Sequence, residues 1–149
     1  MTDRYAVIGN PIGHTKSPLI HGSFAQATGQ DIGYGAIEGS LERFADDVHA
    51  FRKAGGLGLN VTAPFKLQAL ALATERLERA ELAGATNALK FEGDRIIADN
   101  FDGVGLTRDI QCNLGSPSRA RACWCSVRAV RCAEPCCLFS RSSRPNWCS

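Results

Sequence analysis

Cysteine is missing from the first 111 residues, and the whole chain of 149 has one methionine, two tryptophans and two tyrosines. Without cysteine, that long stretch cannot be a disulfide-stapled scaffold. No apolar run reaches the ~18 residues that a bilayer-spanning helix needs, which argues against a membrane anchor. The opening Met1-Thr-Asp-Arg-Tyr lacks the basic-then-apolar form of a secretory signal. These absences together predict a cytoplasmic protein with no membrane partner. The three histidines, His14, His21 and His49, have no metal-like spacing and read as loop, turn and surface residues, so no metal is expected. What is present is ordinary for a globular protein, with 44% hydrophobic and 21% charged residues. The length suits one domain, or one domain plus a tail.

Charge divides the chain. Residues 1–111 carry 11 Lys+Arg against 14 Asp+Glu, a net charge of −3. Residues 112–149 carry six Arg, no Lys, one acid (Glu134) and all seven cysteines, a net charge of +5. The two parts read as having different origins. They give a domain over 1–114 and a Cys/Arg-rich tail over 115–149.

The first part alternates strands and helices. Tyr5–Ile8 is a short apolar run stopped by Gly9-Asn10-Pro11, as for a buried strand entering a loop. Ser17-Pro18 starts a helix that ends near Gly29. Ile32–Ile37 reads as a second strand. Ser40 begins a helix with Leu41, Phe44, Ala45, Val48 and Phe51 at helical spacing, and Gly55-Gly56 ends it. Leu57–Val61 is a third strand. Pro64 opens a helix through Leu70 and Leu72, and a short helix after Thr74 ends at Gly84. Asn87–Phe91 and Arg95–Ala98 flank Gly93-Asp94, a hairpin signal. Gly103–Leu114 is helical again. The fold class predicted is α/β, with a mainly parallel sheet, helices on both faces and an antiparallel edge strand.

Four loops rich in small polar residues sit beside the strands: Gly9-Asn-Pro-Ile-Gly-His-Thr-Lys-Ser-Pro18, Asn60-Val-Thr-Ala-Pro-Phe-Lys66, Gly84-Ala-Thr-Asn87 and Asp99-Asn-Phe-Asp-Gly103. Ligands of α/β sheets bind outside the carboxyl ends of the strands, so these loops are candidates to converge. Their inventory suits a small polyhydroxylated acid. Thr15 and Ser17 offer hydroxyls beside a helix N-terminus, a good place for a carboxylate. Asn60, Thr62 and Asn87 both donate and accept, as hydroxyl groups require. Lys66 and Asp102 are the pair able to move a proton.

Each has a plainer reading. Ser17 can be only a helix cap, Thr15 a turn residue, and Asn60 and Asn87 loop ties. Lys66 can be solvated, and Asp102 can cap the helix that follows it.

Taken in order, Gly9-Asn-Pro-Ile, Lys16-Ser-Pro, Asn60-Val-Thr-x-Pro-Phe-Lys66, Leu82-Ala-Gly-Ala-x-Asn87 and Asn100-x-Asp-Gly-x-Gly105 resemble the substrate-binding N-terminal domain of the shikimate dehydrogenases. These enzymes reduce 3-dehydroshikimate with NADPH. The resemblance covers about residues 4–114. It implies that Thr15 and Ser17 hold the substrate carboxylate, and that Asn60, Thr62, Asn87 and Asp102 hold its hydroxyls. It also implies that Lys66 is the acid/base, paired with Asp102. Two positions depart from the family pattern. Thr15-Lys-Ser17 stands where Ser-x-Ser is commoner, and Phe101 stands where Thr is usual. A quinate-using relative is an alternative, and the full-length enzyme has a homodimer as one option.

The family continues into a Rossmann domain that binds NADP. Residues 112–149 contain no strand followed by a Gly-x-Gly-x-x-Gly turn and helix, so no cofactor is expected to bind this chain. The tail fits other partners poorly. It has no His and no standard Cys-x-x-Cys knuckles for zinc, and its Cys and Trp content is unusual for a nucleic-acid arm. Disulfides suit a cytosolic domain poorly.

The genetic code offers another account of it. Arg121–Cys137 can be back-translated with G or C at every third codon position and read from the third base of each codon. With suitable choices this gives Arg-Val-Leu-Val-Leu-Gly-Ala-Gly-Gly-Ala-Val-Arg-Gly-Ala-Leu-Leu-Pro. That is a strand and a Gly-rich turn of dinucleotide-binding form, and Cys123, Trp124 and Cys125 leave little freedom in it. The expectation is a frameshift between about Gly115 and Ser118, and a disordered tail. Three functional readings follow: a truncated, inactive enzyme, a module that binds shikimate without chemistry, and a non-functional product prone to aggregate through its uncovered apolar surface.

Overall fold

The computed structural model describes residues 2–113. The expectations for the tail, including its disorder and its frame, concern residues outside the described ones. The chain runs β1 (Asp3–Gly9), α1 (Ser17–Thr28), β2 (Ile32–Glu38), α2 (Phe44–Lys53), β3 (Gly56–Val61) and α3 (Lys66–Leu72). It continues through β4 (Glu75–Arg76), α4 (Glu78–Ala83), β5 (Ala88–Glu92), β6 (Arg95–Asp99) and α5 (Asp102–Arg108), with a π-helical turn over Asp109–Asn113. Among the described residues no helix is long and apolar enough to cross a membrane.

The strands form one six-stranded sheet in the order β2-β1-β3-β5-β6-β4. β1 is parallel to β2 and β3, and β4 is parallel to β6, while β5 is antiparallel to both β3 and β6. Five strands therefore share one direction, and the predicted mainly parallel α/β sheet is present. The reversed strand is not at the edge, however. β5 lies inside the sheet, between β3 and β6. Glu75–Arg76, read from the sequence as the start of the short helix after Thr74, instead form β4 outside β6. Two residues are too few to show a period-2 pattern.

Side chains alternate across β1 as the pleat requires. Ala6 and Ile8 enter the core with Leu59 and Val61 of β3, Phe44 and Val48 of α2, and Phe65 beside α3. Val7, also buried, points to the other face, where α1 packs on β1 and β2. Helices thus cover both faces. Phe44 and Phe65 stack in the core, with ring centroids 4.7 Å apart.

Several element starts differ from the sequence reading. α2 begins at Phe44, not at Ser40: Ser40 Oγ accepts the Arg43 N–H, and Asp47 Oδ2 accepts the Ser40 N–H, so these residues form an entry turn. α3 begins at Lys66 after a turn through Pro64. At Gly29 and Gly84 the φ angles are 66° and 61°, left-handed values that glycine adopts without a Cβ penalty, and both glycines close helices as predicted.

Candidate active site at the carboxyl edge of the sheet

The interior position of β5 matters for the site. Because β5 runs backwards, it starts at the edge where β3 and β6 end. Asn60 pairs with Ala88, and Ala88 pairs with Asp99, so Asn60, Asn87 and the Asp99–Asp102 loop lie side by side. Backbone bonds fix the junction: Val61 N–H donates to Asn87 O (2.8 Å), and Asn87 N–H donates to Asp99 O (3.2 Å). Fully buried Thr86 donates its hydroxyl to Asp99 O at 2.5 Å. Asn100 donates to Ala85 O (3.0 Å), and its Oδ1 accepts the Asp102 N–H (3.0 Å).

On that base stands a connected polar chain. Lys66 Nζ is 2.5 Å from Asp102 Oδ2, and Asn87 Nδ2 donates to Asp102 Oδ1 at 2.7 Å. Asn87 Oδ1 in turn accepts the Phe101 N–H at 3.0 Å. Asn60 Nδ2 reaches Asn87 O at 3.5 Å, and Tyr34 donates its phenol to Asn60 Oδ1 at 2.6 Å. Lys66 is not a solvated side chain, since only 20% of it is exposed. Asp102 is the first residue of α5 and not its cap; Asn100 holds its N–H, which leaves the carboxylate to Lys66 and Asn87. The loop behind it is pinned by Arg79, which holds Asp99 through two contacts and lies 4.6 Å over the Phe101 ring. The bond to Asp99 raises the pKa of Arg79.

Thr15 and Ser17 form a separate pair. Thr15 Oγ1 donates to Ser17 Oγ (3.1 Å), and the Ser17 N–H donates to Thr15 Oγ1 (3.3 Å). Ser17 is therefore the first helical residue, and Thr15 serves the helix start in place of the expected Ser17 cap. Thr62 sits after β3 with its methyl against the β1 loop: a Cβ on Gly9 would lie 2.4 Å from Thr62 Cγ2 and 2.9 Å from Ile12 Cδ1. Gly9→Ala must therefore displace Thr62 or Ile12, and is expected to cost about 1–3 kcal/mol in a urea titration. An unchanged midpoint would contradict that packing.

The structure thus joins Asn60, Asn87, Asp102 and Lys66 directly, pairs Thr15 with Ser17, and sets Thr62 beside the loop that leads to them. Sequence reasoning missed Tyr34, Thr86, Asn100 and the Arg79–Asp99 pair as supports. Tyr34 is 26 residues from Asn60, a separation that carries no periodic signal. His21 is also corrected. It is no turn or surface residue but lies on α1, half-buried, stacked on Tyr34 with centroids 4.1 Å apart and planes 4° apart. Among the described residues no group of three His, Cys, Asp or Glu is placed to hold a metal ion.

A mostly parallel sheet with a lysine–carboxylate pair and polar amides at its carboxyl edge defines an α/β domain with a polar candidate site at the strand ends. Residues 7–89 match the family model of the shikimate dehydrogenase substrate binding domain, and the chain belongs to that family. It is 56% identical over 115 residues to the NADP(+) shikimate dehydrogenase of Nitrosospira multiformis, covering 77% of this chain and 42% of that protein. Among solved structures, an Ael1 enzyme from Pseudomonas putida superposes with a TM-score of 0.76 at 66% identity, covering 78% of this chain and 43% of that one. A shikimate 5-dehydrogenase from Listeria monocytogenes, solved with shikimate and NAD, superposes with a TM-score of 0.71 at 29% identity, over 76% of this chain and 39% of that one. The chain spans less than half the length of the relatives it matches.

Proposed function

We propose that residues 1–114 are the shikimate-binding, proton-handling part of an NADP-dependent shikimate dehydrogenase. The observation that carries this reading is Lys66 held 2.5 Å from an Asp102 carboxylate that Asn87 also grips. In the reduction of 3-dehydroshikimate, Lys66 Nζ gives its proton to the substrate oxygen that gains charge. In the oxidation of shikimate it takes that proton back. Asp102 keeps the ammonium aimed, and Asn60, Thr62 and Asn87 orient the ring hydroxyls. Thr15 and Ser17, at the start of α1, receive the carboxylate.

The expectation that residues 112–149 hold no NADP rests on their sequence, which has no strand followed by a Gly-x-Gly-x-x-Gly turn and helix. Hydride chemistry belongs to a nucleotide domain, and the Cys/Arg-rich composition of the tail supports a frameshift near Gly115–Ser118, where that domain's first strand and turn would stand. On that reading these 149 residues, in the cytoplasm, bind substrate without turning it over. Calorimetry on the 149-residue chain should show saturable binding of shikimate, with Kd about 1 mM because part of the cleft is missing. No heat at millimolar shikimate would sink the reading. A tighter response to quinate would favour the quinate-using alternative.

A further inference from the structure

The Asn60 carboxamide has two chemically different ends, and its neighbours decide which way it faces. Asn87 O lies 3.5 Å from Nδ2 and is fixed by the Val61 N–H at 2.8 Å. A carbonyl oxygen only accepts, so the NH2 end must face it. Oδ1 is left facing the Tyr34 phenol, which donates at 2.6 Å. The flipped amide would set Oδ1 against Asn87 O, acceptor against acceptor. Tyr34 is in turn steadied by the flat stack on His21, four residues beyond Ser17 on the same face of α1. One helix therefore ties the Thr15–Ser17 pair to the amide at the end of β3.

We propose that Tyr34, braced by His21, is a positioning residue that locks the Asn60 amide with its NH2 group presented to a ligand oxygen. This rests on the reading of Asn60 as a substrate contact. One Nδ2 hydrogen goes to Asn87 O, and the other is left for the ligand. Burial pushes the Tyr34 phenol up to about 12, so it stays a donor across the neutral and mildly alkaline range. Without the phenol, only the long 3.5 Å contact of Nδ2 with Asn87 O orients the amide, so the flipped form gains population and a ligand hydroxyl meets a less uniform partner.

The test uses the full 149-residue chain. Tyr34→Phe keeps the ring on His21 and removes only the phenol oxygen. It is expected to weaken shikimate about fivefold, as for loss of one hydrogen bond. In an Asn60→Ala background the same change should have no further effect, because Tyr34 acts through Asn60. An unchanged affinity for Tyr34→Phe, or an equal loss in both backgrounds, overturns the proposal. The Asn60 side-chain NH2 resonances, read by nitrogen-15 NMR without ligand, give a second measurement. They should be sharp and displaced from solvent-exposed positions in the parent chain, and Tyr34→Phe should return them. If the parent binds no shikimate, the substrate reading fails, and these resonances alone decide the lock: no change on Tyr34→Phe overturns it.

Discussion

On the proposed frameshift, restoring the other frame near codon 115 and expressing the open frame that follows is expected to give a protein that oxidises shikimate with NADP, a turnover not expected of the 149-residue chain. The comparison isolates what residues 1–114 supply. In the corrected protein, Lys66→Ala should lower kcat by about 10²–10⁴, the range for losing one positioned proton-transfer group. KM should change much less, because the hydroxyl contacts through Asn60, Thr62 and Asn87 are left in place. Asp102 adds a check. Asp102→Asn removes the charge facing Lys66 Nζ and alters the partner of Asn87 Nδ2, so both the proton group and the amide lose their anchor. Its loss should therefore appear in KM as well as kcat. Full activity of Lys66→Ala would assign the proton to another group. Turnover by the chain as written would remove the claim that the fragment is inert. A genomic sequence that keeps the present frame would overturn the frameshift reading and leave binding as the chemistry to test.

Much of this was legible in the sequence, for identifiable reasons. Short apolar runs bounded by glycine and proline marked β1 and β3, since burial on both faces of a parallel sheet leaves that trace, and the Gly93-Asp94 turn marked the hairpin. The pair Lys66–Asp102 was legible because few residues in polar loops can move a proton, and the structure places them in contact. What escaped was set by tertiary pairing. β4 is two residues whose only strand-like property is a partner in β6. The reversal of β5 was visible as a hairpin, but its interior place depends on its pairing with β3, a long-range contact, and so was not. Ser17 looked like a cap because Ser-Pro usually is one, yet Thr15 takes the bond two residues earlier. Tyr34 and His21 are separated by 13 residues along the chain and by a crossover in space. No local pattern announces their stack, although it joins the two ends of the site.

Phe65→Ala is expected to cost about 3–5 kcal/mol, the range for emptying a large aromatic site in a core. Phe65 has no exposed surface, stacks on Phe44, and fills the space that Gly39 leaves open: a Cβ on Gly39 would lie 2.7 Å from Phe65 Cε2. A domain of this size has roughly 5–15 kcal/mol of stability in total, so the variant should unfold at a much lower urea concentration. The functional consequence follows from chain order. Phe65 immediately precedes Lys66, its N–H is held by Thr62 O at 3.0 Å, and its carbonyl accepts the Ala69 N–H at 2.8 Å as α3 begins. The buried ring thus fixes both the loop carrying Thr62 and the helix carrying Lys66. Shikimate binding should fall even at temperatures where the variant is still folded. Because Phe44 is its stacking partner, Phe44→Leu and Phe65→Ala together should cost less than the sum of the two. A strictly additive pair, or an unchanged urea midpoint for Phe65→Ala alone, would mean that the anchor of Lys66 lies elsewhere in the fold.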